Sequence, residues 1–147
     1  MKILKTITIN ISKQKSTLMN EKIVSIVDDE IPNRYLLRIK IEDYQTAENR
    51  INVYEATNGL EAITITNKLM NNKKEISLIF MDWKMPVLNG EEAAKKIKDQ
   101  YKNIPIILHS AHMGINEIYK SSNCFNSCLE KPINEIKFQE ILERYVI

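Results

Sequence analysis

Cysteine is almost missing from this sequence: Cys124 and Cys128 are the only two. A disulfide-stapled scaffold is therefore excluded, and free thiols in a reducing, cytoplasmic setting are expected. Three glycines and four prolines are too few for a collagen-like or low-complexity chain. Charge of one sign is not in excess either. Lys plus Arg number 21 against 19 for Asp plus Glu, a formal charge of +2, which gives no electrostatic reason to expect nucleic acid or an anionic membrane as partner. Long hydrophobic runs are absent. Residues 3–11 are broken by Lys5, Thr6, Thr8 and Asn10 with no small-residue cleavage site behind them, so they make neither a signal peptide nor a membrane span. What is present is 147 residues, 44% hydrophobic and 27% charged, enough to bury one sizeable core and too few for a second domain.

Residues 1–21 form a polar, lysine-dotted lead in which Ile7, Ile9 and Ile11 alternate weakly, a pattern that suits an edge strand or a disordered tail; the domain is expected over residues 22–147. Lys22-Ile-Val-Ser-Ile-Val27 is rich in β-branched residues and stops at Asp28-Asp29, as a buried strand does at a polar sheet edge. Behind Glu30, the apolar residues Ile31, Tyr35, Leu36 and Ile39 recur at helical spacing, with Pro32 where a first-turn proline is tolerated. The alternation then repeats. Residues 51–56 are strand-like, and Asn58 stands three residues before Glu61 as an N-cap that opens a helix through Met70. Residues 71–75, with Lys73 and Lys74, read as a solvated loop. Residues 76–81 form a third apolar run ahead of Asp82, and Ala93, Ala94, Ile97 and Tyr101 mark a helix behind Asn89-Gly90. A fourth strand at 105–108, a short helix at 115–119, a fifth strand at Cys128-Leu129 and a last helix marked by Ile133, Ile136, Ile141 and Tyr145 complete the chain. Strands alternating with helices of this length need right-handed crossovers and a parallel sheet covered on both faces, so the fold class is α/β, doubly wound.

Ligands of such folds bind beyond the carboxyl ends of the strands. There the sequence puts Asp28-Asp29, Asp82, His109-Ser110 and Glu130-Lys131-Pro132. Clustered carboxylates raise one another's pKa unless a cation neutralises them, and hard oxygen donors select Mg²⁺, Mn²⁺ or a similar ion. A lysine beside them supplies a point charge for a phosphoryl group, and a serine hydroxyl can hydrogen-bond one of its oxygens. These residues describe an aspartate that accepts a phosphoryl group.

Four segments, in this order and spacing, resemble the receiver domains of two-component response regulators, of the chemotaxis-regulator or hybrid-histidine-kinase type. They are Ile-Val-Asp28-Asp29-Glu, Met81-Asp82-Trp-Lys-Met-Pro-Val-Leu-Asn-Gly90, Pro105-Ile-Ile-Leu-His-Ser110-Ala111 and Lys131-Pro132. The resemblance runs from Lys22 to about Ile147 and implies a flavodoxin-like sheet of strand order 2-1-3-4-5. It further implies that Asp82 is the phosphoacceptor and that Asp28 and Asp29 bind the metal, Asp29 directly and Asp28 through water, with the backbone carbonyl of Lys84 completing the site. Ser110 takes the switch position, Lys131 contacts a phosphoryl oxygen, and a cis Lys131-Pro132 bond would aim that lysine. Lys84 and His112 stand where the family tunes dephosphorylation, although two solvated rim residues are an equally good reading. The implied donor is a histidine kinase or histidine phosphotransfer protein. Only 16 residues follow Lys131, so output is expected through a separate protein or a phosphorelay, and the lead could be the stub of a hybrid kinase.

Two departures stand out. The aromatic switch position in the fifth strand holds Cys128, and the small residue usual before that strand is replaced by Asn123, Cys124 and Phe125, of which Asn123 can take a positive φ. The pairs His109/His112 and Cys124/Cys128 also have ligand-like spacing for zinc, but ordinary histidines and reduced thiols are the simpler reading. A Mg²⁺-dependent aspartyl-phosphate hydrolase would want a carboxylate two residues after the nucleophile, where Lys84 stands. A scaffold that is never phosphorylated would not need the acidic pair, Ser110 and Lys131. The expected chemistry is thus the chain's own phosphorylation and dephosphorylation rather than turnover of a small substrate.

Overall fold

The computed structural model describes residues 20–147. The lead at residues 1–19, with its isoleucine alternation, lies outside the described residues. Five strands alternate with five helices: β1 (Asn20–Val27), α1 (Ile31–Glu42), β2 (Asn49–Ala56), α2 (Gly59–Asn71), β3 (Leu78–Met81), α3 (Gly90–Gln100), β4 (Ile106–Ser110), α4 (Ile115–Ser121), β5 (Ser127–Glu130) and α5 (Glu135–Tyr145). All pairings are parallel and the order is β2-β1-β3-β4-β5. This is the flavodoxin-like topology.

Burial on both faces explains why β3 and β4 read as unbroken apolar runs: every one of their residues is buried. Alternate side chains feed two separate cores. Ile106 and Leu108 join Ala62, Leu69, Ala93, Ile97 and Ile115 beneath α2, α3 and α4, while Ile107 joins Leu37, Ile41, Phe138 and Leu142 beneath α1 and α5. Caps define the helix starts. Asn58, Asn89 and Asn134 each accept a hydrogen bond from the backbone N–H three residues on, at 2.9, 2.9 and 3.0 Å.

The first helix forms where its periodicity predicts, but the periodic residues are not the buried ones. Ile31, Tyr35, Leu36 and Ile39 are 70, 64, 51 and 39% exposed, and Leu37 and Ile41 pack on the sheet. The narrow contact needs only those two, because Phe138 and Leu142 of α5 fill the rest of that layer.

Left-handed backbone also falls elsewhere than expected. Asn123 does not have a positive φ; among the described residues Lys73 (56°), Val87 (69°) and Gly114 (87°) do. Val87 is 76% exposed at the tip of the β3–α3 loop. Its backbone follows from what the loop encloses. The Gly90 N–H donates to the Trp83 carbonyl at 2.8 Å, and a Cβ on Gly90 would lie 1.8 Å from the Asp82 carbonyl oxygen. The chain must turn back within that distance of the end of β3, so residues between Trp83 and Gly90 have little freedom.

Two stability changes follow. Gly90→Ala should lower stability by about 3 kcal/mol by pushing Asp82 out of place. Val87→Gly should raise it by about 1 kcal/mol, since a β-branched residue is strained at φ 69°. Urea unfolding of the two variants beside the parent protein measures both, and a neutral Gly90→Ala would refute the close approach.

Candidate functional site

Strand register brings the polar residues together. Val27 pairs with Met81 and Ser110 with Glu130, and the ladder runs one residue further, with Asp82 N–H donating to the Val27 carbonyl at 2.9 Å and Lys131 N–H to the Ser110 carbonyl at 3.0 Å. Neighbouring strands are about 4.8 Å apart, so the side chains that follow must meet. Carboxylate oxygens of Asp28, Asp29 and Asp82 all lie within 4.8 Å of one another.

The three acids are held differently. Asp28 is 3% exposed; its Oδ1 accepts from Glu30 N–H at 2.9 Å and Asn33 Nδ2 at 3.4 Å, and its Oδ2 from Lys131 Nζ at 2.5 Å. Asp29 is exposed, and its carboxylate has no hydrogen bond with any described residue. Asp82 is half-sheltered, accepting from Trp83 N–H at 2.8 Å on Oδ1, with Lys131 Nζ 3.5 Å from Oδ2. Burial raises the Asp82 pKa above its usual 3.8; Lys131 opposes that shift and Asp28 adds to it. One lysine among three carboxylates leaves net negative charge at a site built only of hard oxygen donors. That donor set fits a divalent cation of the Mg²⁺ type.

The rim comes from the next two strands. Ser110 is buried at the end of β4, and its Oγ accepts from His112 N–H at 3.2 Å. The His112 ring packs on Trp83 with centroids 4.4 Å apart, and Lys84 Nζ lies 5.5 Å from the Trp83 centroid. An open cleft is bordered by Asp29, Asp82, Lys84, Ser110, His112 and Lys131. Lys131-Pro132 is cis. His109 faces the α1 and α5 side, where burial pushes its pKa down to about 4. The neutral ring must donate Nδ1–H to the Leu129 carbonyl, 2.8 Å away, because a carbonyl only accepts.

The zinc reading finds no support, since the only metal-competent group among the described residues is the aspartate triad. Cys128 is 2% exposed and its thiol donates to Asn116 Oδ1 at 3.1 Å, while Cys124 Sγ lies 3.9 Å from the Glu91 carbonyl. Asn116 in turn donates to Glu130 Oε1 at 3.0 Å. A short polar chain thus links Asn116 of α4 to Cys128 and Glu130 of β5.

Sequence reading missed Asn33, Arg34 and Asn116. Arg34 Nη1 donates to the Asp28 carbonyl at 2.8 Å. The signal available for Asn33 and Arg34 is position: a helix's first turn faces the strand end it has just left. Nothing in the sequence ties Asn116 to Cys128, because that pairing depends on how α4 sits on β5.

Residues 24–143 match the response regulator receiver domain family. The chain belongs to that family. This receiver domain is 30% identical over 132 residues to sporulation initiation phosphotransferase F of Bacillus subtilis, covering 88% of this chain and 96% of that protein. It is 28% identical over 123 residues to an autoinducer 1 sensor kinase/phosphatase of Vibrio harveyi, covering 84% of this chain but spanning only 13% of that much longer protein. Among solved structures it resembles response regulator TrrA of Thermotoga maritima in complex with Mg²⁺-BeF, with TM-score 0.67 and 26% identity over 84% of this chain and 97% of that one.

Asp82 should cost the receiver stability. With its folded pKa raised, Asp82 holds its proton to higher pH than in the unfolded chain. Stability therefore falls as pH rises from 3.8 through the raised value, and the loss persists above it. In chelator, Asp82→Asn should melt a few degrees higher than the parent near neutral pH, and the gap should close as pH falls towards 3.8. Thermal melts across that range check the sign, and a variant that melts lower near neutral pH would show that Lys131 outweighs burial.

Proposed function

We propose that this receiver domain takes a phosphoryl group from the phosphohistidine of a histidine kinase or histidine phosphotransfer protein onto Asp82, and signals through protein contact or onward phosphotransfer. The observation that carries this reading is the Lys131 ammonium held between Asp28 and Asp82, 2.5 and 3.5 Å from their oxygens, at the mouth of an open cleft. Asp82 is the nucleophile. A carboxylate oxygen attacks phosphorus in line, the phosphorus–nitrogen bond to the donor imidazole breaks, and the electron pair leaves with that nitrogen. Lys131 lies where it can offset charge on the transferring oxygens, and the Ser110 hydroxyl can turn from His112 to donate to one of them.

Asp29, Asp82 and the Lys84 carbonyl would hold Mg²⁺ or Mn²⁺, with Asp28 acting through water. Such an ion supplies the positive charge that one lysine cannot, and so relieves repulsion between the carboxylates and the incoming phosphoryl group. Asp28 acts chiefly on Lys131: its buried carboxylate fixes the ammonium, leaving exposed Asp29 free to ligate. Lys84 and His112 border the line along which water would approach the product, which suits a role in its lifetime.

The Bacillus relative, a phosphotransferase by name and of nearly the same length, supports a relay role. The Vibrio sensor kinase supports the other setting, a receiver within a longer kinase. A cytoplasmic location goes with both. Cys128 in the aromatic switch position favours relay over allosteric output, because a thiol bonded to Asn116 has no ring to swing inward.

The test is intact-mass spectrometry after incubation with a small acyl-phosphate donor. One phosphoryl adduct is expected with Mg²⁺, and none with chelator or in Asp82→Asn. Failure of the folded parent protein to form it would favour a phosphorylation-independent scaffold instead.

A further inference from the structure

Residues 83–89 link Asp82 to α3, and the loop they form is closed on itself. Gly90 N–H donates to the Trp83 carbonyl and Leu88 N–H to the Pro86 carbonyl, both at 2.8 Å. Gly90 also presses on the Asp82 carbonyl, so the loop and the end of β3 shift together. Among the described residues, one hydrogen bond ties residues 83–89 to anything outside Asp82, the loop itself and α3: Gly59 N–H, at the start of α2, donates to the Leu88 carbonyl at 3.0 Å. Amides in the first turn of a helix have no partner within it. The cap residue Asn58 gives its side-chain oxygen to Glu61 N–H, and the Leu88 carbonyl is what satisfies Gly59.

This contact demands glycine for space and not for backbone freedom. Among the glycines only Gly114 has a positive φ. A Cβ on Gly59 would lie 2.5 Å from the Leu88 carbonyl oxygen, 2.8 Å from the Ala93 Cβ and 3.0 Å from the Asn89 carbonyl oxygen. Two of these three atoms are backbone of the acceptor loop, so a methyl group there would move the loop itself rather than a flexible side chain. Alanine is the better helix former, and any loss on Gly59→Ala therefore comes from the contact. We infer that Gly59 is a positioning residue for Asp82: the start of α2 holds the acceptor loop by the Leu88 carbonyl, and through Gly90 it fixes where the Asp82 carboxylate and the Lys84 carbonyl stand. The inference rests on the reading that Asp82 is the acceptor.

Backbone hydrogen exchange of the full chain in chelator, followed residue by residue by NMR, tests the tether without phosphorylation. The Gly59 and Gly90 amides should exchange slowly in the parent protein, and Gly59→Ala should speed exchange at Gly90 while the amides of β1 keep their protection. Adduct formation with a small acyl-phosphate donor should slow about 10- to 100-fold in Gly59→Ala, the cost of an ångström-scale misplacement, and should need more Mg²⁺ to reach half its maximal rate. Ala93→Gly removes a buried methyl group from α3 and leaves the loop backbone untouched; it should melt lower yet keep the parent rate and Mg²⁺ requirement. An equal loss of rate in Ala93→Gly would assign the effect to helix packing and overturn the positioning role. So would rapid exchange of the Gly59 amide in the parent protein, or a folded Gly59→Ala that is phosphorylated like the parent, and each of these leaves Asp82 as acceptor. If Gly59→Ala does not fold, the parent's exchange at Gly59 decides. Absence of any adduct on the parent protein would overturn the acceptor reading and the role of Gly59 with it.

Discussion

Three carboxylates gathered at one end of a parallel sheet repel one another, and Lys131 is the side chain that makes their neighbourhood tolerable. Its ammonium reaches Asp28 at 2.5 Å and Asp82 at 3.5 Å from a strand on the far side of β4. Much else follows from placing that charge. β5 has to pair with β4 in a register that puts Lys131 next to Ser110, the cis bond to Pro132 turns the chain there, and the buried Asp28 is tied down by Glu30 and Asn33 so that it stays a fixed counter-charge. Even so, burial keeps the Asp82 carboxyl above its usual pKa. A site left short of positive charge in this way suits a divalent cation.

The loops around the acids are restrained rather than free. Gly90 lies so close to the Asp82 carbonyl that no side chain fits between them, and Val87 takes up the resulting turn in a left-handed conformation. Local strain of this kind persists only when the surroundings over-determine it. Here the surroundings are the end of β3 and the cap of α3 by Asn89, both of which fix the backbone on either side of the loop. The benefit is a carboxylate whose position does not depend on its own rotamer freedom, since Trp83 N–H also grips it.

Away from the acids, the chain handles its edge strand in an unusual way. Cys128 is fully packed, yet it spends its thiol on Asn116, which spends its amide on Glu130. A hydrogen-bonded link of this type has definite geometry and breaks as a unit, whereas a ring rotates between two packed positions. The exposed apolar row of α1 has a related lesson. Ile31, Tyr35, Leu36 and Ile39 form a regular helical pattern but point away from the sheet, so periodicity detects the helix without saying which face is inward when the second layer of the core is completed by another helix.

The order of elements and the identity of the strand ends were legible in the linear sequence. Runs such as Leu78–Met81 are apolar because both faces are covered, and the abrupt change to Asp28, Asp82, Ser110 and Lys131 marks the one edge that is not. Those are local properties, written residue by residue, and so composition and spacing suffice to find them. Three-dimensional packing alone decided the rest: that Asp28 rather than Asp29 holds the lysine, that Val87 and not Asn123 takes the left-handed turn, that Cys128 finds Asn116, and that Trp83 meets His112. Each of these depends on the distance and angle between segments far apart in sequence, which are set only when the strands take their register and the helices settle on the sheet.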